Sequence, residues 1–117
     1  MNLDFHERFK KILAKLDESG NAYAEAKAQS WFSQEMCSAI KSSIMKALMS
    51  EDTKLSVQKA EILAKAHPDY LKHLEETRDK IRQENLTRSE YKKWDASFEA
   101  NRSLSSLEKR TQQLTGE

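Results

Sequence analysis

The chain has 117 residues, of which 33% are charged and 38% are hydrophobic, and its formal net charge is +1. This length suggests a single domain and leaves little room for a catalytic domain beside a core. Two glycines, one proline and one valine are too few for the turns and buried strands of a sheet protein. The nearly balanced charge gives no reason to require nucleic acid or an anionic membrane as a partner. The composition therefore predicts an all-α protein.

The first predicted element is a long helix over residues 3–49. Apolar and small residues recur in it at alternating spacings of three and four, which is the heptad pattern of a helix that packs against another helix. These seam residues are Phe5, Phe9, Ile12, Leu16, Ser19, Tyr23, Ala26, Ser30, Ser33, Cys37, Ile40, Ile44 and Ala47. Because the pattern keeps its phase through Ser19-Gly20-Asn21, we predict one continuous helix. The alternative is two helices broken at residues 19–21.

A short helix and a second long helix follow. Ser56 is a candidate N-cap for a helix over residues 57–66. Pro68 suits the first turn of the next helix, which we predict over residues 69–113, because its missing N–H has no helical partner there. The apolar residues assigned to the face of this second long helix are Tyr70, Leu74, Ile81, Tyr91, Trp94, Phe98, Leu104 and Leu107.

The two long helices are predicted to pair as a coiled-coil-like antiparallel hairpin. In such a hairpin the position numbers of facing residues add to a constant, and a value near 118 matches apolar residues along both helices. It places Ile44 opposite Leu74, Cys37 opposite Ile81, and Gly20 opposite Phe98. Small residues around Gly20 then face bulky aromatic residues. The short third helix is expected to fold over the tip of the hairpin.

Several apolar side chains extend beyond the stripe that one partner helix can cover. They are Ala39 and the five larger residues Trp31, Phe32, Met36, Met45 and Met49. Methionine-rich helix surfaces adapt to partners, so these residues predict a protein-interaction surface and self-association into a helical bundle. The alternative is that Trp31 packs on Leu86 and that the short helix covers the methionines.

The sequence offers little that suggests catalysis. Asp69, His73 and Glu76 share one helical face and could hold a metal ion, but ordinary local ion pairs explain them better. Cys37 lies on the seam with no histidine placed to activate it. We therefore predict a non-enzymatic protein with no cofactor, metal or small-molecule substrate. The lack of an apolar run of ~20 residues predicts no membrane partner, and the single cysteine fits a cytoplasmic protein.

Basic residues along the second long helix support an alternative function. Arg78, Arg82, Arg88, Lys92 and Lys93 form a stripe that could track a phosphate backbone. Glutamates interleave with them, which favours an ordinary solvated face with local ion pairs. Nucleic-acid binding is therefore the second hypothesis.

Two segments carry a resemblance to known proteins. Residues 5–31, FHERFKKILAKLDESGNAYAEAKAQSW, and residues 97–114, SFEANRSLSSLEKRTQQL, resemble small helical proteins from the early regions of bacteriophages and prophages. The resemblance implies a setting in which such proteins accompany recombination and replication genes or inhibit host defence. Together with the surplus apolar surface, it suggests an interaction module that binds or inhibits a protein partner in DNA recombination or host defence.

Overall fold

The computed structural model describes residues 2–115, and the side chains of residues 4–114. Three helices make up the fold: α1 (Asn2–Glu51), α2 (Val57–Lys65) and α3 (Pro68–Thr115). The all-α prediction is confirmed, since α1 and α3 form a long antiparallel helical hairpin and the described residues contain no strand. The predicted helix bounds are correct to within two residues. Helix α1 also runs unbroken through residues 19–21, so the alternative of two helices is wrong.

Local capping explains where the chain turns. The Ser56 hydroxyl accepts a hydrogen bond from the Lys59 backbone N–H at 3.2 Å, which caps α2 as predicted. Before it, the Asp52 side chain accepts a hydrogen bond from the Lys54 backbone N–H at 3.0 Å and stabilises the turn after α1. Pro68 opens α3, where its missing N–H costs no hydrogen bond.

The chain divides into two compact units. One joins the residues up to Ala24 with those from Asn85 onward, and the other comprises Glu25–Glu84. Each unit contains part of α1 and part of α3, and the second also contains α2. We call the first the aromatic unit and the second the hydroxyl unit, after the side chains that lie between their helices. That the chain is a single domain stays a prediction.

Aromatic rings hold the helices of the aromatic unit together. The Phe9 and Phe98 rings lie 5.5 Å apart between centroids, and the Tyr23 and Tyr91 rings lie 6.0 Å apart. Gly20 provides room for Tyr91, because a Cβ atom at position 20 would lie 3.2 Å from Cε1 of that ring. The glycine thus has the packing role that the sequence predicted, although its partner is Tyr91 and not Phe98.

Hydroxyl groups lie between α1 and α3 in the hydroxyl unit. The buried Ser33 and Thr77 hydroxyl oxygens are 2.6 Å apart. Thr77 donates to the His73 carbonyl oxygen at 2.8 Å, so Ser33 is the donor in the pair with Thr77. His73 Nε2 in turn donates to the Ser33 carbonyl oxygen at 2.8 Å. We call Ser33, His73 and Thr77 the hydroxyl cluster.

The predicted register of the two helices is wrong by four to seven residues at these contacts. Gly20 contacts Tyr91, seven positions before Phe98. Cys37, predicted opposite Ile81, has its Sγ atom 3.9 Å from the hydroxyl of Thr77, four positions before Ile81, and Ile81 is exposed. A shift of seven residues leaves a heptad pattern in phase, so the spacing alone fits either register. The face predicted for α3 is also partly wrong, because Leu74, Ile81, Leu104 and Leu107 are exposed.

Candidate protein-interaction surfaces

The chain exposes more surface than a folded monomer of its mass normally does. Its accessible surface is 9206 Å², whereas a compact monomer of 13.6 kDa exposes about 6,600 Å². The excess is therefore about 2,600 Å². Such an excess indicates surface that a partner can cover.

The buried residues are small. Among the side chains that the structure describes, the buried hydrophobic ones are Ile12, Ala26, Ala60 and Ala64, and the largest fully buried side chain is that of Ser30. Most large apolar residues are therefore at least partly exposed, in contrast to an ordinary core. The large apolar residues classed as exposed are Leu13, Trp31, Phe32, Val57, Ile62, Leu63, Leu71, Leu74, Ile81, Leu86, Leu104, Leu107 and Leu114.

Two aromatic residues of α1 form the most prominent exposed pair. Trp31 is 63% exposed and Phe32 is 61% exposed. They adjoin in sequence and point about 100° apart around the helix. Met36, Met45 and Met49, which were predicted to share their surface, are half-buried. We call Trp31 and Phe32 the aromatic pair.

A second exposed apolar surface lies on α3. Leu71, Leu74 and Ile81 are 48%, 39% and 37% exposed, and we call them the α3 apolar stripe. Leu74 and Ile81 were predicted to pack against α1, whereas no prediction included Leu71. The spacing held a signal for Thr77, which lies one heptad after Tyr70 and two heptads before Tyr91, and these three residues are half-buried or buried in the structure. Apolarity alone favoured Leu74 and Ile81 over Thr77.

Helix α2 combines an exposed apolar face with a set of ion pairs. Ala60 and Ala64 are buried, whereas Ile62 and Leu63 are exposed. Glu61 Oε1 accepts a hydrogen bond from Lys41 Nζ at 3.2 Å and forms an ion pair with Lys65 Nζ at 3.4 Å. The hydrogen bond from Lys41, followed by that from Lys65 and the charges of both lysines, lowers the pKa of Glu61 below its ordinary value of 4.5. The pair with Lys41 thus ties α2 to α1.

The predicted basic stripe divides between the two units. In the hydroxyl unit, Arg78 and Arg82 are exposed. In the aromatic unit, the Arg88 guanidinium lies 5.6 Å from the centroid of the Tyr23 ring, and its Nε donates to the Tyr23 hydroxyl at 3.2 Å. Lys92 is exposed, and Lys93 Nζ lies 5.2 Å from the centre of the Trp94 ring. Two of the five cations therefore already contact aromatic rings of this chain.

The residues considered for metal binding or catalysis have structural contacts. His73 belongs to the hydroxyl cluster, while Asp69 and Glu76 are exposed beside it. No group of three or more histidine, cysteine or acidic residues that could hold a metal ion occurs within the described part of the chain. The Cys37 thiol donates to the Ser33 carbonyl oxygen at 3.6 Å. These contacts account for His73 and Cys37 as parts of the helix interface.

Across residues 2–115, no helix combines the length and apolar character needed to cross a membrane. No protein-family model, curated protein or solved structure matches this chain. The exposed apolar surfaces are therefore the main guide to function.

Proposed function

We propose that this chain is a non-enzymatic protein-interaction module that binds a protein partner through the aromatic pair. The observation that carries the proposal is the exposure of Trp31 and Phe32 side by side on one helix. Tryptophan and other large aromatic residues dominate binding energy at protein interfaces, and a soluble chain gains nothing by leaving them in water. Helix α1 presents them from a regular backbone, so binding requires little ordering of the main chain.

The setting we propose is the bacterial cytoplasm, with a partner that acts in DNA recombination or host defence. The resemblance to phage and prophage early-region proteins supports this class of partner. The single cysteine, a free thiol, fits a reducing compartment. Binding alone is sufficient to inhibit or recruit such a partner, so the proposal needs no catalytic group on this chain.

The test is affinity purification from a bacterial lysate, with three forms of the chain as bait. The wild type is compared with Trp31→Ala/Phe32→Ala and with Leu114→Ala, a control that removes a strongly exposed apolar side chain elsewhere. We expect the wild type and the control to recover the same stoichiometric DNA-processing protein, and the double variant to lose it. With purified partner, loss of two aromatic hot spots is expected to weaken binding about 100-fold or more.

Two results would contradict the proposal. One is the absence of any stoichiometric partner under several lysate conditions. The other is a double variant that binds the purified partner as tightly as the wild type. Circular dichroism of all three baits checks that they are equally helical. We expect the double variant to keep its helix content because Trp31 and Phe32 are at exposed positions of α1.

A further inference from the structure

We propose that the α3 apolar stripe is the interface between two copies of this chain, packed antiparallel to each other. Leu71, Leu74 and Ile81 follow the spacing of a coiled-coil seam, with Arg78 at the remaining heptad position between them. Thr77, one position before Arg78, faces α1. Helix α3 therefore carries two neighbouring seams in the hydroxyl unit, and only one of them is covered by α1.

The exposed area is sufficient for an interface with a second copy. The excess of about 2,600 Å² over the whole chain is larger than the ~800 Å² that each partner buries in a standard interface. The small buried residues also leave the chain with little apolar core of its own. A second copy is always present at matching concentration, so it can stabilise every molecule that folds.

Charge at the centre of the stripe selects the antiparallel direction. In a parallel pair, equivalent heptad positions meet, and Arg78 would face Arg78 of the second copy. An antiparallel pair can instead place Leu71 against Ile81 of the second copy and Arg78 against Leu74. The aliphatic stem of arginine covers apolar surface while its guanidinium reaches water, so the second arrangement avoids the repulsion.

The flanking charges are complementary in the same arrangement. Glu75 and Arg82 are both exposed, lie one heptad apart and border the stripe. When Leu71 packs on Ile81 of the second copy, Glu75 lies opposite Arg82 of the second copy. The two-fold symmetry repeats this pair, so one surface satisfies the isologous rule that residue i meets j and j meets i.

Charge reversal provides the test. The variants are Glu75→Arg, Arg82→Glu and the double reversal, and the control is Glu35→Arg, an exposed α1 position away from the stripe. Mass is measured by sedimentation equilibrium at low salt. We expect the wild type and the control to have twice the 13.6 kDa chain mass, and each single reversal to raise the dimer dissociation constant at least tenfold.

One mixture and the double reversal complete the experiment. A 1:1 mixture of the two single-reversal chains should form a heterodimer, because both of its pairs then join opposite charges. The double reversal should restore the homodimer. If a single reversal loses helix content on dilution and regains it in the mixture, dimerisation and folding are coupled, which also supports the proposal.

A monomeric wild type would overturn the inference. So would single reversals that dimerise as tightly as the wild type. A third contrary result is that the mixture and the double reversal both stay monomeric. The aromatic pair is unchanged in all of these variants. The outcome is therefore independent of whether Trp31 and Phe32 bind another protein.

Discussion

In the aromatic unit, aromatic rings contact one another between α1 and α3, whereas in the hydroxyl unit serine, threonine and histidine side chains form hydrogen bonds between these helices. Phe9, Phe98 and Tyr91 are turned toward the helix interface of their unit. In the hydroxyl unit, by contrast, Trp31 and Phe32 are exposed. The same helix pairing is thus compatible with aromatic residues in the interface or outside it. The difference separates residues that stabilise the chain from residues available to partners.

Two phenylalanines give the sharpest test of this comparison. Phe98→Ala removes a half-buried ring that contacts Phe9, and we expect it to lower the free energy of unfolding by about 2 kcal/mol. Phe32→Ala makes the same chemical change at an exposed position, and its expected cost is below about 0.5 kcal/mol. Urea denaturation at one fixed protein concentration measures both. Equal losses would show that the two regions do not differ as described.

Substitutions in the hydroxyl cluster should change the free energy of unfolding less, and the effects of changing Ser33 and Thr77 should be coupled. Thr77→Val keeps the side-chain shape but leaves the buried Ser33 hydroxyl without its acceptor, at an expected cost of about 1–2 kcal/mol. Ser33→Ala/Thr77→Val removes both hydroxyl groups and should cost about 1 kcal/mol less than the two single changes added together. A double-mutant cycle by urea denaturation checks this. Additive costs would mean that the short contact between the hydroxyl groups contributes nothing of its own.

The smallest expected effect is the pH dependence that Glu61 confers on the hydroxyl unit. The lysines lower the pKa of Glu61 in the folded state, so the Glu61 carboxylate stabilises the fold above about pH 4.5. This contribution is lost as the pH falls through the lowered pKa. Glu61→Gln should therefore reduce the fall in Tm on acidification from about pH 6 to about pH 3. Glu35→Gln, at an exposed position on α1, is the matched control. The prediction fails if both variants follow the wild-type curve.

Helix content and helix pairing were predictable from the sequence because they depend on local signals. The heptad phase through Gly20, the Ser56 cap and Pro68 each act within a few residues of their own position. The exposure of Trp31 and Phe32 was predictable for a related reason, since the predicted stripe on α1 already excluded them. What these signals have in common is that no distant residue is needed to interpret them.

Register and the α3 face depend on distant residues, and there the prediction failed. Gly20 fits an aromatic ring at either position 91 or position 98, because the two are one heptad apart. Leu74 and Ile81 were assigned to the core for their apolarity, but Thr77 takes the inner position by bonding to Ser33 across the interface. A polar pair of this kind specifies one register, whereas apolar contacts tolerate several.

The hydroxyl cluster also fixes the tautomer of an imidazole. A carbonyl oxygen only accepts hydrogen bonds, so His73 must carry a proton on Nε2 to bond the Ser33 carbonyl. In the neutral ring, Nδ1 then carries no proton and can only accept a hydrogen bond. The contact between α1 and α3 therefore determines which ring nitrogen of His73 is left as an acceptor.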